Sequence, residues 1–137
     1  MVEFTLDPQL KADSMPVTDL PLCTVRLMND SNFPWLLMVP RIAGLAELID
    51  LETGLQHQLM DEIATVSGAL KALTGCDKLN VANLGNQVRQ LHIHVIARFE
   101  GDAAWAGPIW GKLPAKAYDK DDADRLIKAL ATALTSE

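Results

Sequence analysis

Arg89-Gln90-Leu91-His92-Ile93-His94-Val95-Ile96-Ala97-Arg98 alternates polar and apolar side chains at period two, the pattern of a β-strand. Leu91, Ile93 and Val95 are expected on one face, and Gln90, His92 and His94 on the other. Three hydrogen-bonding side chains in a row make a poor core. Two of them are imidazoles, the only side chains whose unperturbed charge change falls near neutral pH. One imidazole to attack and neighbours to hold oxygens is a set suited to work on a phosphate. The blander alternatives are a pair of solvated or core histidines, and a shared zinc, for which no third ligand is obvious. His57 is the remaining histidine; it falls off the apolar stripe of its segment and is expected at the surface.

Upstream, Leu79 to Asn83 reads as a strand, and Leu84-Gly85-Asn86-Gln87 as a tight turn that makes a hairpin with the histidine strand. Before it, Leu55, Leu59, Ile63, Val66, Leu70 and Leu73 recur at spacings of four, four, three, four and three, the stripe of one amphipathic helix ended near Gly75. Leu45 to Leu51 fits a short helical turn. Leu22 to Met28 and Trp35 to Val39 read as two strands across a turn rich in Asn, Asp, Ser and Pro. Residues 1 to 20 are polar and broken by Pro8, Pro16 and Pro21, so a short strand or helix and then a loop is expected. Asp119 to Thr135 reads as a C-terminal helix whose acidic start suits the helix dipole, with Leu126, Ile127, Leu130 and Leu134 buried.

Gln90-Leu91-His92-Ile93-His94-Val95-Ile96 resembles the signature of the histidine triad (HIT) superfamily, His-φ-His-φ-His-φ-φ with φ apolar, except that glutamine stands first. The segment from Leu27 to Arg41, an apolar run ending in Pro40 and a basic residue, resembles the family's strand–turn–strand. One long amphipathic segment separates the two, as in the family, and the resemblance covers roughly residues 20 to 100. It implies an α+β fold: an antiparallel sheet of about five strands, one long helix and a C-terminal helix in a single domain, residues 1–137.

The resemblance further implies a hydrolase or nucleotidyl transferase acting at the α-phosphate of a dinucleoside polyphosphate or nucleoside phosphoramidate. His92 would be the nucleophile, its tautomer set by a main-chain carbonyl, and a nucleotidyl-histidine the intermediate. His94 would be a phosphate ligand and acid, with Gln90 in the first position of the triad. Asp30 is placed like the residue that binds ribose, with Asn29 and Asn32 as competitors. Asn83 resembles the asparagine before the phosphate loop, and Gln87 stands where a Ser or Thr often meets the phosphate. Gln90 cannot shuttle a proton, and Trp35 stands where many members carry a fourth histidine. Those two departures motivate the alternative, a nucleotide-binding protein with little or no catalysis.

Composition bounds the partners. At 137 residues, with 49% hydrophobic and 22% charged content, the chain has the make-up of a globular protein. A net charge of −6 argues against general nucleic-acid binding. It leaves room for a small nucleotide held by local donors, among them Arg41, Arg89 or Arg98. No apolar run is long enough to span a bilayer, and Met1 to Asp7 lacks the marks of a signal peptide, so a cytoplasmic protein without a membrane partner is expected. Cys23 and Cys76 lack CxxC spacing and read as free buried thiols; no metal and no cofactor are expected. The resemblance implies a homodimer. Trp105 and Trp110, in the Gly/Pro-rich stretch after the histidine strand, are candidates for an interface or a pocket rim.

Overall fold

The fold is seen in a computed structural model that describes residues 2–135; Met1, Ser136 and Glu137, at the ends of the expected domain, lie outside the described residues. In chain order the elements are α1 (Pro8–Asp13), β1 (Ser14–Asp19), β2 (Cys23–Met28), β3 (Trp35–Pro40), α2 (Thr53–Thr74), β4 (Lys78–Asn83), β5 (Ile93–Arg98) and α3 (Lys120–Thr135). A single 3-10 turn, Leu48–Asp50, sits where a short helical turn is expected. The five strands form one sheet, ordered β1-β2-β3-β5-β4, with antiparallel neighbours throughout. This is the expected α+β architecture.

Helix α2 crosses one sheet face. Its Leu59, Ile63, Val66 and Leu70 pack in one core with Val25, Leu27, Leu36, Met38, Ile93 and Val95. Gly75 closes the helix in the left-handed conformation (φ 65°), its N–H donating to the Lys71 carbonyl 2.8 Å away. Leu73 corrects the expected stripe, being 42% exposed. It stands about five full turns beyond Leu55, at the same angle on the stripe's margin, and Leu55 is likewise only partly buried. The stripe also hides a carboxylate that its apolar pattern does not announce. Glu62 is buried, and its oxygens accept from the N–H groups of Leu22 and Cys23 at 2.8 and 2.9 Å, which fixes the entry to β2 on the helix.

Two differences from expectation bear on the site. Residues 14–19, expected as loop, are strand β1. Pro16 is tolerated there because β1 is a sheet edge and the register shifts between Pro16 and Thr18. Asp7 caps the helix before it, its carboxylate accepting from the Gln9 N–H at 2.8 Å with Pro8 in the first turn. The histidine strand, expected from Arg89, begins at Ile93. Its ladders run out at that point, since Ile93 faces Asn83, the last residue of β4, and Met38 of β3. Residues 84–92 lie outside both ladders and form the connection between β4 and β5.

Candidate active site

The face of the sheet away from α2 carries the candidate site. Ile93, Val95 and Ala97 of β5 pack toward α2, so His94, Ile96 and Arg98 project from the other side. His92, one residue before the strand, lies beside His94 with ring centroids 4.9 Å apart at 72°. Both imidazoles are buried, each 4% exposed.

The His92 Nδ1 atom stands 2.6 Å from the main-chain carbonyl of Gln90. A carbonyl only accepts, so Nδ1 carries the proton and Nε2 keeps a free lone pair. Nε2 bonds to no described residue, yet it is not among the buried polar atoms left without a partner. It is therefore open to a ligand. His94 is fixed the opposite way. The Trp35 indole N–H donates to His94 Nδ1 at 3.0 Å, which requires a lone pair there and puts the proton on Nε2. Burial, and secondarily the neighbouring His92, push the His94 pKa down to about 4, so His94 is neutral near pH 7.

A titration follows from that shift. Between about pH 6.5 and 4 the unfolded chain protonates this histidine and the native one does not, so stability falls as pH falls through that window. At about 1.4 kcal/mol per pH unit, the loss by pH 4 is expected to be about 3 kcal/mol. Urea midpoints at pH 7, 5.5 and 4 measure it, and His94→Gln is expected to flatten that limb. An equal slope in the variant would assign the acid sensitivity elsewhere.

The histidines line a cavity of about 410 Å³. Gly85, Asn86, Gln87 and Val88 form one wall, and Asp13, Trp35 and Trp110 contribute to the rest. The N–H groups of residues 85–88 take no partner among the described residues, which leaves them available as donors. Gly85 has φ 140°, and a Cβ there would meet the Val88 carbonyl at 3.3 Å, so glycine permits this tight path. A second cavity of about 370 Å³ shares Asp13, Met28, Trp35 and Trp110 and adds Asp30. Among the described residues no lysine or arginine lines either cavity.

Other expected site residues are distributed as follows. Gln87 lines the histidine cavity. Asp30 lines the second cavity; its Oδ1 accepts from the N–H of Asn32, the Asn32 carboxamide and the N–H of Lys116, while Oδ2 makes none of these bonds. Asn32 bridges Asp30 to the Pro114 carbonyl and lines neither cavity. Asn29 accepts from the Tyr118 N–H. Asn83 clamps the loop, its Nδ2 donating at 3.0 Å to the carbonyls of both Leu84 and His92.

Gln90 precedes β5 and turns its carboxamide to the N-terminal segment. Its Oε1 accepts from the Asp7 N–H at 2.8 Å, and its Nε2 donates to the Thr5 carbonyl at 2.9 Å, pinning the N-terminal segment. Gln90→Ala is expected to cost roughly 1–3 kcal/mol and to speed hydrogen exchange at Asp7, measured by urea unfolding and amide exchange. Arg98 is locked in an ion pair with Asp102, and Arg41 reaches the Pro21 carbonyl; neither lines a cavity. Arg89 borders a separate surface hollow with Gln87.

Leu10, Asp13 and Met28 are cavity residues that sequence reasoning missed. Only the apolar spacing of Phe4, Leu6 and Leu10, which pack with Leu37 and Val39, hints that this segment returns to the sheet. Trp110 stands at the cavity, edge-on to His94 (5.2 Å, 76°) and to Trp35 (6.3 Å, 89°). Trp105 instead lies over the Arg98 guanidinium, 5.8 Å from it. Among the described residues no group of three or more His, Cys, Asp or Glu is placed to hold a metal ion, and no helix is long and apolar enough to cross a membrane.

No curated protein matches the chain. Solved structures do. A histidine triad protein from Bradyrhizobium japonicum is 48% identical over 97% of this chain and 99% of its own, with a TM-score of 0.95. One from Sinorhizobium meliloti is 43% identical, covering 93% and 94% of the two chains at a TM-score of 0.91. Another, from Marinobacter aquaeolei, is 41% identical over 97% and 96% at 0.92. The HIT domain matches residues 9–101. Sequence motif, fold and relatives agree, and the chain belongs to the HIT family of nucleotide-binding and nucleotide-hydrolysing proteins.

Proposed function

We propose that this chain is a hydrolase or nucleotidyl transferase that attacks the α-phosphate of a small nucleotide conjugate with His92. The observation that carries the proposal is the tautomer of His92, with Nδ1–H held by the Gln90 carbonyl and Nε2 open beside the cavity. Nε2 bonds to the phosphorus as the bond to the leaving group breaks, and the electron pair departs with that group. Water then attacks the nucleotidyl-histidine, the N–P bond returns its pair to Nε2, and the water's proton passes to solvent. His94 Nε2–H and the N–H groups of residues 85–88 supply donors for the non-bridging oxygens, as phosphoryl chemistry rests largely on positioning and charge stabilisation. Asp30, with Oδ2 outside its loop bonds, is the candidate for the ribose hydroxyls.

Intact-protein mass after brief incubation with a dinucleoside polyphosphate, quenched in alkali, tests the proposal. A transient nucleotidyl mass mapping to His92, with AMP released, is expected. Saturable nucleotide binding without adduct or AMP would favour the second reading, a binding protein of the same fold. Two observations favour that reading: Gln90 is occupied by the N-terminal segment, and Trp35 occupies the first residue of β3 beside His94.

A further inference from the structure

We infer that Trp35 makes this site selective for nucleotides whose leaving group departs as a stable anion, phosphoanhydrides rather than phosphoramidates or alkyl esters. The inference rests on the α-phosphate chemistry proposed above and concerns who protonates the leaving group.

A proton donor at that step must be acidic enough to release its proton near pH 7. An imidazolium qualifies; a neutral imidazole's remaining N–H does not. His94 can become an imidazolium only by protonating Nδ1, and the Trp35 N–H points at that atom from 3.0 Å. An added proton would place two donors face to face. Burial opposes the same charge, and so does His92 at a ring distance of 4.9 Å. The groups around His94 offer no alternative acid. Trp110 packs edge-on against it at 5.2 Å and carries only an indole N–H. Leu37 of β3 and Ala82 of β4 are its strand partners. Asp13, across the cavity, is the one carboxyl group among the described residues lining it, and it accepts from the Gln9 carboxamide at 2.9 Å. Gln90 has no ionisable proton and is held by Thr5 and Asp7.

His94 is thus a hydrogen-bond donor through Nε2 and a poor acid, narrowing the two roles its position suggests. Without an acid, the bond from phosphorus to the leaving atom must break with the pair going to a group that tolerates the charge. A phosphate oxygen does so, since the second pKa of a phosphate monoester is about 6. An amide nitrogen or an alkoxide is a strong base and leaves only with a proton.

The test compares AMP release from diadenosine tetraphosphate, adenosine 5′-phosphoramidate, and the p-nitrophenyl and p-methoxyphenyl esters of AMP. The anhydride and nitrophenyl ester are expected to exceed the other two by about 10²-fold or more in kcat/KM. Trp35→Phe, which keeps an aromatic ring and removes the N–H, is expected to narrow that gap by about tenfold. Nitrogen-15 NMR of the unsubstituted protein reads the tautomer without turnover: an unprotonated Nδ1 and a protonated Nε2 at His94 are expected, unchanged down to pH 5. A protonated Nδ1 at neutral pH would overturn the inference. So would phosphoramidate turnover equal to that of the anhydride through a His92 adduct, an outcome that leaves the proposed function standing. Failure of all four compounds to label His92 would remove the α-phosphate chemistry itself, and the leaving-group rule with it.

Discussion

Replacing His92 by Ala is expected to abolish the nucleotidyl adduct and to lower AMP release on the order of 10⁶-fold, the scale seen when a covalent nucleophile is removed. The size follows from what the side chain supplies. Nε2 is an unbonded imidazole lone pair set beside donors suited to phosphate oxygens. Among the described residues no cysteine, serine or threonine lines that cavity to take its place. The fold is expected to survive, because the bond that anchors this segment to β4 uses the His92 carbonyl, accepting from Asn83 at 3.0 Å, and not the ring. Thermal unfolding of the variant checks this. Turnover within tenfold of the parent protein, by a folded variant, would exclude His92 as the nucleophile.

The placement of His92, His94 and Trp35 in the candidate site was legible because it depends on local order. Period-two alternation put His92 and His94 beyond the reach of α2, and the flanking apolar run placed Trp35 on the neighbouring strand. Other parts depend on which distant segments meet. The N-terminal stretch reads as a broken polar segment, yet Gln90 binds it across a sequence separation of 83 and 85 residues. No local pattern encodes that pairing, so the sequence shows Gln90 only by its position in the motif and not by what it binds. Arg98 is similar. It looks like a surface charge at a strand end, but alternation places it on the same face as His94, where Phe33, Asn80, Asp102 and Trp105 surround it. Glu62 is a third case, a charge on an apolar stripe that becomes sensible only when the bare N–H groups of Leu22 and Cys23 arrive.

Loss of the Arg98–Asp102 pair is expected to be the costliest single change to the scaffold beneath the site. Arg98 is 2% exposed, and its Nε and Nη2 atoms bond the two Asp102 oxygens at 2.8 and 3.0 Å. Nη1 donates to Asn80, and the guanidinium stands over the rings of Phe33 and Trp105. Asp102 also accepts from the N–H groups of Phe99 and Ala104, so one carboxylate joins the end of β5 to the loop that continues toward Trp110. Asp102→Ala would leave a desolvated cation with a single amide partner and is expected to cost about 3–5 kcal/mol in urea unfolding. Adding Arg98→Met to that variant is expected to recover part of the loss, since no charge then remains buried without a partner. A cost below about 1 kcal/mol for Asp102→Ala would show the pair to be as weak as a solvated one. The pair also has its own pH window. Its hydrogen bonds to Arg98 hold the Asp102 pKa down to about 2, so its contribution is complete above the ordinary aspartate value and disappears only as pH falls through about 2. That range lies below the window of His94, between about 6.5 and 4, so an acid titration of stability separates the histidine at the site from the ion pair supporting it.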